Sequence, residues 1–233
     1  MVTNLIQGLD LDADELYPDS DGKPMADNTE QYEWIVKIKE NLEILFAKNP
    51  DIFIAGDLLW YPVKSTLVTP CAPDVMVVFG RPKGRRGSYK QWVEDNIAPQ
   101  VVFEILSPKN TKSEMSRKLE FYQTYGVEEY YLYDPHKSIL RGWTRQENVL
   151  QEITFSGTWA SRLLGIRFQQ RDSGLEIYYP NGDKFLSSIE LAEQLQKFEL
   201  QVQEAQLQAE QEKHRAERLA QRLRELGFNP DDF

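Results

Sequence analysis

Pro73-Asp74-Val75-Met76-Val77-Val78-Phe79 decides the reading of this chain. Five apolar residues in a row, opened by Pro-Asp and closed by Gly80, are too few for a helix and have the β-branched character of a strand. An unbroken apolar run, rather than an alternating one, is expected of a central strand covered on both faces. A second run of the same kind is Gln100-Val101-Val102-Phe103-Glu104-Ile105-Leu106, and a third spans Asp51–Trp60. Upstream of all three, Trp34, Ile35, Ile38, Leu42, Leu45 and Phe46 recur at three and four residues, the stripe of an amphipathic helix. Asn28 and Thr29 are both suited to cap its start. Asn49-Pro50 is expected to end it, because proline excludes α geometry from the residue before it.

Downstream, Met115, Leu119 and Tyr122 fall on one helical face over residues 112–125, with Gly126 placed as a left-handed cap. Glu129-Tyr130-Tyr131-Leu132-Tyr133 reads as a fourth strand, stopped at Asp134-Pro135. From Ile139 to Tyr179, short β-like runs alternate with Gly and Asn turns and are expected to extend the sheet as hairpins. Helix, three strands, helix, strand predicts an α/β (α+β) core, a mixed sheet flanked by helices. Residues 1–28 read as an N-terminal arm, 29–185 as the folded domain and 186–233 as a C-terminal helix. In that helix Leu191, Leu195, Phe198, Val202, Ala205, Ala209, Glu212, Ala216, Leu219, Leu223 and Leu226 step by four and three, a coiled-coil seam broken only at Glu212. A lone helix cannot hide such a stripe, so a homodimer is expected, with docking on the chain's own core as the alternative.

Composition narrows the chemistry. The single cysteine, Cys71, excludes an internal disulfide scaffold, and two distant histidines, His136 and His214, leave no set for a zinc site. The acidic start lacks the basic and apolar regions of a signal peptide, and no apolar run is long enough to span a bilayer, so a cytoplasmic protein is expected. With 37 acidic against 27 basic residues, nucleic acid can bind only through a local basic patch. One candidate is the segment 81–90, which carries Arg81, Lys83, Arg85, Arg86 and Lys90, with Tyr89 and Trp92 as possible stacking partners for bases; a solvated loop and core aromatics are the plain alternatives.

Three residues carry the candidate chemistry. Asp74 opens one central strand, Glu104 lies in the next, and Lys118 lies on the helix that follows. A carboxylate inside an apolar run is costly unless it is paired or binds a cation. Two carboxylates on neighbouring strands can hold Mg²⁺ (or Mn²⁺), a hard cation that takes oxygen ligands and keeps waters. A lysine beside them can orient or deprotonate an attacking water. The structural alternative is a Glu104–Lys118 pair without catalysis. Asp57 and Glu33 are weaker candidates for the same site, better read as a turn acid and a surface residue.

Pro73-Asp74, Glu104-Ile105-Leu106-Ser107-Pro108, Lys118, Tyr122, Gly126-Val127-Glu128-Glu129-Tyr130 and Asp134-Pro135 together resemble the core of the Uma-two family of restriction endonucleases, which is similar to the PD-(D/E)XK nuclease superfamily. The resemblance spans roughly residues 25–180. It departs from the superfamily pattern at Leu106, where a lysine would stand two residues after the acid; in the resembling family the lysine comes from the following helix, where Lys118 stands, with an acid four residues earlier, here Glu114. The resemblance implies a restriction-endonuclease-like fold and Mg²⁺-dependent cleavage of DNA by Asp74, Glu104 and Lys118. The competing expectation is a catalytically inactive, nuclease-like interaction protein that self-associates through its C-terminal helix.

Overall fold

Asn28 starts the first helix, α1 (Thr29–Leu45): its side chain accepts a hydrogen bond from the Gln31 backbone at 2.8 Å, satisfying one of the free N–H groups of the first turn. The computed structural model describes residues 16–22, 24–155, 157–171 and 174–227, so most of the expected N-terminal arm lies outside the described residues. α1 stops four residues short of Asn49, because Ala47 turns back to the Ile44 carbonyl and tightens the last turn.

Strands β1 (Ile52–Gly56), β2 (Trp60–Tyr61), β3 (Val75–Phe79), β4 (Tyr89–Lys90) and β5 (Val101–Ile105) follow. The single strand expected over 51–60 is thus two. Asp57 breaks it with φ of 47°, a left-handed conformation that aspartate tolerates better than most side chains, and β2 leaves to pair in parallel with β4. Helix α2 (Lys112–Thr124) opens on a capping box between Thr111 and Glu114 and closes with Gly126 at φ of 94°, where the Val127 N–H reaches back to the Tyr122 carbonyl. Then come β6 (Glu129–Asp134), β7 (Ile139–Gln146) and β8 (Val149–Glu152), followed by β9 (Thr158–Ala160), β10 (Arg167–Arg171) and β11 (Gly174–Tyr178).

The main sheet has the order β1-β3-β5-β6-β7-β8 and is mixed, since β5 and β6 run parallel across the α2 crossover while their neighbours are antiparallel. Hairpins do extend it as far as β8, but β9, β10 and β11 form a sheet of their own. This corrects the expectation that all of 139–179 joins one sheet. Phe168, Leu175 and Ile177 of that second sheet instead belong to the apolar layer on one face of the main sheet.

The central strands are covered on both sides, as their unbroken apolar runs require. Val75, Val77, Val101 and Phe103 pack with Ile35, Ile38 and Leu42 of α1. Met76, Val78, Val102, Tyr130 and Leu132 pack on the other face with Tyr122, Met115 and Leu119 of α2. Each fully buried aliphatic side chain contributes roughly 1.5–3 kcal/mol. These two layers hold the ends of β3 and β5 rigidly, which matters because Asp74 and Glu104 sit there.

The chain divides into two compact units, 1–185 and 186–233. The second contains α3 (Ser188–Glu225), 38 residues capped by a Ser187–Glu190 capping box and finished with Arg222 and Arg224 at its negative end. At 1.5 Å per residue it is about 57 Å long, and it carries the whole seam from Leu191 to Leu223, with Leu226 as its C-cap. Among the described residues no helix is long and apolar enough to cross a membrane.

Candidate active site

Register brings the two acids together. β3 and β5 pair as Val75↔Phe103, Met76↔Val102 and Val77↔Val101, so one step further along the ladder Asp74 stands opposite Glu104. Directly opposed residues point to the same face with Cβ atoms about 4.5–5.5 Å apart. Asp74 shares the parity of Met76 and Val78, which places both carboxylates on the α2 side. The same rule applied to β1, where Gly56 pairs with Val75, sets Asp57 beside Asp74. The Asp57 N–H bonds the Asp74 carbonyl at 3.2 Å. Three acids therefore form a row across the ends of three adjacent strands.

α2 supplies the counter-charge. Lys118 Nζ lies 2.7 Å from both Glu104 carboxylate oxygens and also reaches the Ala72 carbonyl at 3.4 Å. One turn along the helix, the Tyr122 hydroxyl donates to Glu104 Oε1. Its one proton being committed there, Tyr122 accepts from the Cys71 thiol, 3.3 Å away. Glu104 is only 3% exposed and is thus held by an ammonium and a phenol. Asp74 Oδ2 accepts from the Ile105 N–H at 2.6 Å, and its second oxygen accepts no hydrogen bond among the described residues.

The electrostatics follow from burial and crowding. Burial, reinforced by the Glu104 charge, pushes the Asp74 carboxyl up to about 8. Burial also raises Asp57 to about 6, with Asp21 adding to it. For Lys118, burial works against the ammonium, but Glu104, Cys71 and Asp74 together outweigh it and hold the amine above its ordinary range. Burial lifts the Cys71 thiol to about 11, so it is no nucleophile near neutral pH.

A cleft of about 680 Å³ opens here, lined by Asp57 and Asp74 on the sheet, Glu114, Arg117 and Lys118 on α2, and Asp27 ahead of α1. Asp27 is anchored to the loop after β5 by the Ser107 hydroxyl at 2.7 Å and Lys109 at 2.9 Å, and the Lys109 bond, ahead of that from Ser107, keeps its carboxyl below the usual range. Glu114 faces the cleft while also capping α2. Glu33 is exposed on α1, which covers the other face of the sheet.

The residues fit a hard divalent cation. Among the described residues no three His, Cys, Asp or Glu side chains converge as a closed metal cage. Mg²⁺ needs none, since it binds through one or two carboxylates and fills its remaining positions with water and phosphate oxygens. Asp74 offers a free carboxylate oxygen beside Glu104, and the raised Asp74 pKa is the mark of a buried acidic pair short of positive charge.

The basic segment is differently placed. It leaves β3 at Phe79, the end away from Asp74, about 17 Å along a five-residue strand. Arg81 and Arg86 both bond Glu94, at 2.8 and 2.6 Å, and Arg81 also bonds Asp95. Lys83 pairs with Glu43 at 2.7 Å. Arg85 is exposed and has no ion pair among the described residues; Lys90 lies in β4. Tyr89 is wholly buried, donating to the Ile97 carbonyl at 2.7 Å, and Trp92 packs against Tyr17 and Tyr61. Both aromatics serve the core.

Sequence reasoning took Tyr122 as a core aromatic and missed its hydroxyl on Glu104. The available signal was its position four residues after Lys118, on the same helix face.

Comparison with known proteins gives a family match. The model of the Uma2 family, described as "Putative restriction endonuclease", matches residues 23–177. No curated protein matches the chain. Among solved structures, the chain is similar to one described as a putative nuclease belonging to DUF820 from Anabaena variabilis ATCC 29413. The two are 15% identical, with a TM-score of 0.43 over 58% of this chain and 72% of that one.

Proposed function

This chain belongs to the Uma2 family of restriction-endonuclease-like proteins, and from that premise we propose that it is a nuclease that hydrolyses phosphodiester bonds of DNA with a divalent cation, Mg²⁺ or Mn²⁺. The observation that carries the reading is the pairing of Asp74 with Glu104 across β3 and β5, with Lys118 on Glu104. Asp74 and Glu104 would hold the cation. When bound, the cation supplies positive charge against the phosphate and acidifies water in the cleft.

The rest falls to the chain itself. Lys118 is kept as an ammonium by Glu104, so it acts as a donor and not as a base. From the cleft wall it orients water or a phosphate oxygen and offsets the negative charge that grows on the phosphate oxygens as the bond breaks. Tyr122 fixes the Glu104 carboxylate in place, and Cys71 in turn fixes Tyr122. Arg117, on the same wall, is suited to a phosphate of the substrate backbone. Arg85, the exposed cation of the basic segment, is suited to a more distant phosphate.

Incubation of supercoiled plasmid with Mg²⁺ or Mn²⁺ tests the reading. Nicking or linearisation is expected from the wild type, with a loss of about a hundredfold or more in Glu104→Gln. Plasmid left intact by the wild type in both metals refutes it.

A second reading is favoured by one observation, the seam of α3, broken only at Glu212. Leu195, Phe198 and Val202 at one end and Leu219 and Leu223 at the other are suited to the same helix of a second copy. A homodimer would place two sites on one assembly, which suits cutting both strands of a duplex. A chain that dimerises and cuts nothing would instead be a nuclease-like scaffold that assembles through α3.

A further inference from the structure

α2 is flanked by two hollows, and the nuclease reading uses one. Glu114, Arg117 and Lys118 face the acidic cleft. Lys112, Met115 and Leu119 face a second groove of about 640 Å³, walled opposite by β6 and β7. That volume falls within the range of small-ligand pockets.

Three features of the groove point to a ligand. First, its floor is apolar and aromatic, with Met115, Leu119, Leu132 and the buried Tyr130 among its lining. Ligand pockets are lined mostly by apolar and aromatic side chains with a few placed polar groups. Second, the groove carries Lys112, Lys137 and Arg141 against the single acid Asp134, in a chain whose net charge is −10. Asp134 takes Lys137 at 2.9 Å, whereas Lys112 has no ion pair among the described residues. Third, the wall is a stacked column. Tyr130 and Trp143 lie 4.9 Å apart and nearly parallel, and the Arg141 guanidinium sits 4.8 Å from the Trp143 ring centre. Glu152 grips that guanidinium at 2.7 and 3.0 Å. With two of its five N–H groups on Glu152 and one face on Trp143, Arg141 is held in plane and keeps a second flat cationic face, which suits a heteroaromatic ring. The anion is left to Lys112.

A flat polar ring attached to a phosphate is a nucleotide. We propose that the groove between α2 and β6–β7 is a nucleotide pocket, taking the base against the Arg141–Trp143–Tyr130 column and the phosphate at Lys112. Asn110 lines both hollows, so the two adjoin at the start of α2. The occupant is a nucleotide of the strand whose backbone lies in the acidic cleft. This last step rests on the nuclease reading; the nucleotide chemistry of the groove does not.

Calorimetry on the full chain in EDTA, where no cleavage occurs, tests it with the four deoxynucleoside monophosphates, inorganic phosphate and a short single-stranded oligonucleotide. At least one mononucleotide is expected to bind about tenfold more tightly than phosphate. Lys112→Glu and Leu119→Trp, which fills the groove, should each weaken it by about fivefold or more. Absence of nucleotide binding up to about 5 mM overturns the proposal, as does mononucleotide binding that neither variant weakens. Oligonucleotide binding weakened by Lys112→Glu and Leu119→Trp supports the strand nucleotide; mononucleotide binding with an oligonucleotide indifferent to both variants removes the strand and leaves a free nucleotide. Intact nucleotide binding in a chain that leaves plasmid uncut removes only the nuclease reading.

Discussion

Asp74→Asn should make the metal-free protein more stable at neutral pH. The Asp74 carboxyl sits near 8 in the folded chain against an ordinary aspartate value of 3.8, so between those limits the folded state holds a proton that the unfolded state has released. Stability therefore falls as pH rises through that window, by at most about 1.4 kcal/mol per pH unit, and the loss is complete above about 8. From pH 5 to 7.5 the full slope amounts to about 3 kcal/mol; relaxation and water in the open cleft reduce this to about 2 kcal/mol. Asparagine carries no such proton, and its amide oxygen can still accept from the Ile105 N–H. The variant should thus exceed the wild type by about 3 kcal/mol at pH 7.5 and by about 1 kcal/mol at pH 5. Urea unfolding in EDTA measures this. All five tryptophans precede residue 186, so their fluorescence reports the first unit alone. A variant less stable than the wild type at pH 7.5, or a difference that does not change with pH, refutes the argument. Added Mg²⁺ should close the gap by stabilising the wild type and not the variant.

Lys118→Ala strips the ammonium from a nearly buried Glu104 and should cost about 2–4 kcal/mol in urea unfolding; adding Glu104→Gln should recover at least half, and no recovery would mean that the pair is not what Lys118 supports. Arg85→Ala should lower the slope of log affinity against log salt for DNA by about one unit, since its neighbours Arg81, Lys83 and Arg86 are occupied by acids; an unchanged slope makes Arg85 ordinary surface. Light scattering should give a dimer for the full chain and a monomer for a chain ending at Ser187, with the tryptophan-reported melt of the first unit preserved. Two monomers at micromolar concentration would end the dimer reading.

Elements defined by local pattern were legible in the sequence. The α1 stripe, the apolar runs of β3 and β5 and the cap at Gly126 each depend on neighbours a few residues apart, and each forms where its pattern lies. Glu104 was legible for a related reason: it interrupts an apolar strand, where a charge has to be explained by something, whereas Asp74, which only opens its strand, stood out in combination with it. Pairing partners were not legible. Strand period says that β10 and β11 are strands but not whether they join β8, and charge composition says that Arg81 and Arg86 are cations but not that Glu94 holds both. The Asp57 break escaped because a left-handed aspartate looks like any other residue in a β-rich run. The Tyr122 hydroxyl escaped because its ring alone is enough to account for the residue in a helix stripe.

The ladder between β3 and β5 also determines where this chain tolerates changes in length. Opposition of Asp74 and Glu104 depends on register alone and is indifferent to how many residues lie between Phe79 and Gln100, apart from the β4 pairing and the Glu94 contacts in that stretch. One residue added within Val75–Phe79 is another matter. With the ladder to β5 kept from Val77 onward, Asp74 would move to the α1 face, away from Glu104 and Lys118, while the strand remained almost as apolar as before. Such an insertion would spare much of the core and erase the site. Relatives that retain the chemistry should accordingly vary freely in the loop around residues 81–87 and never within β3.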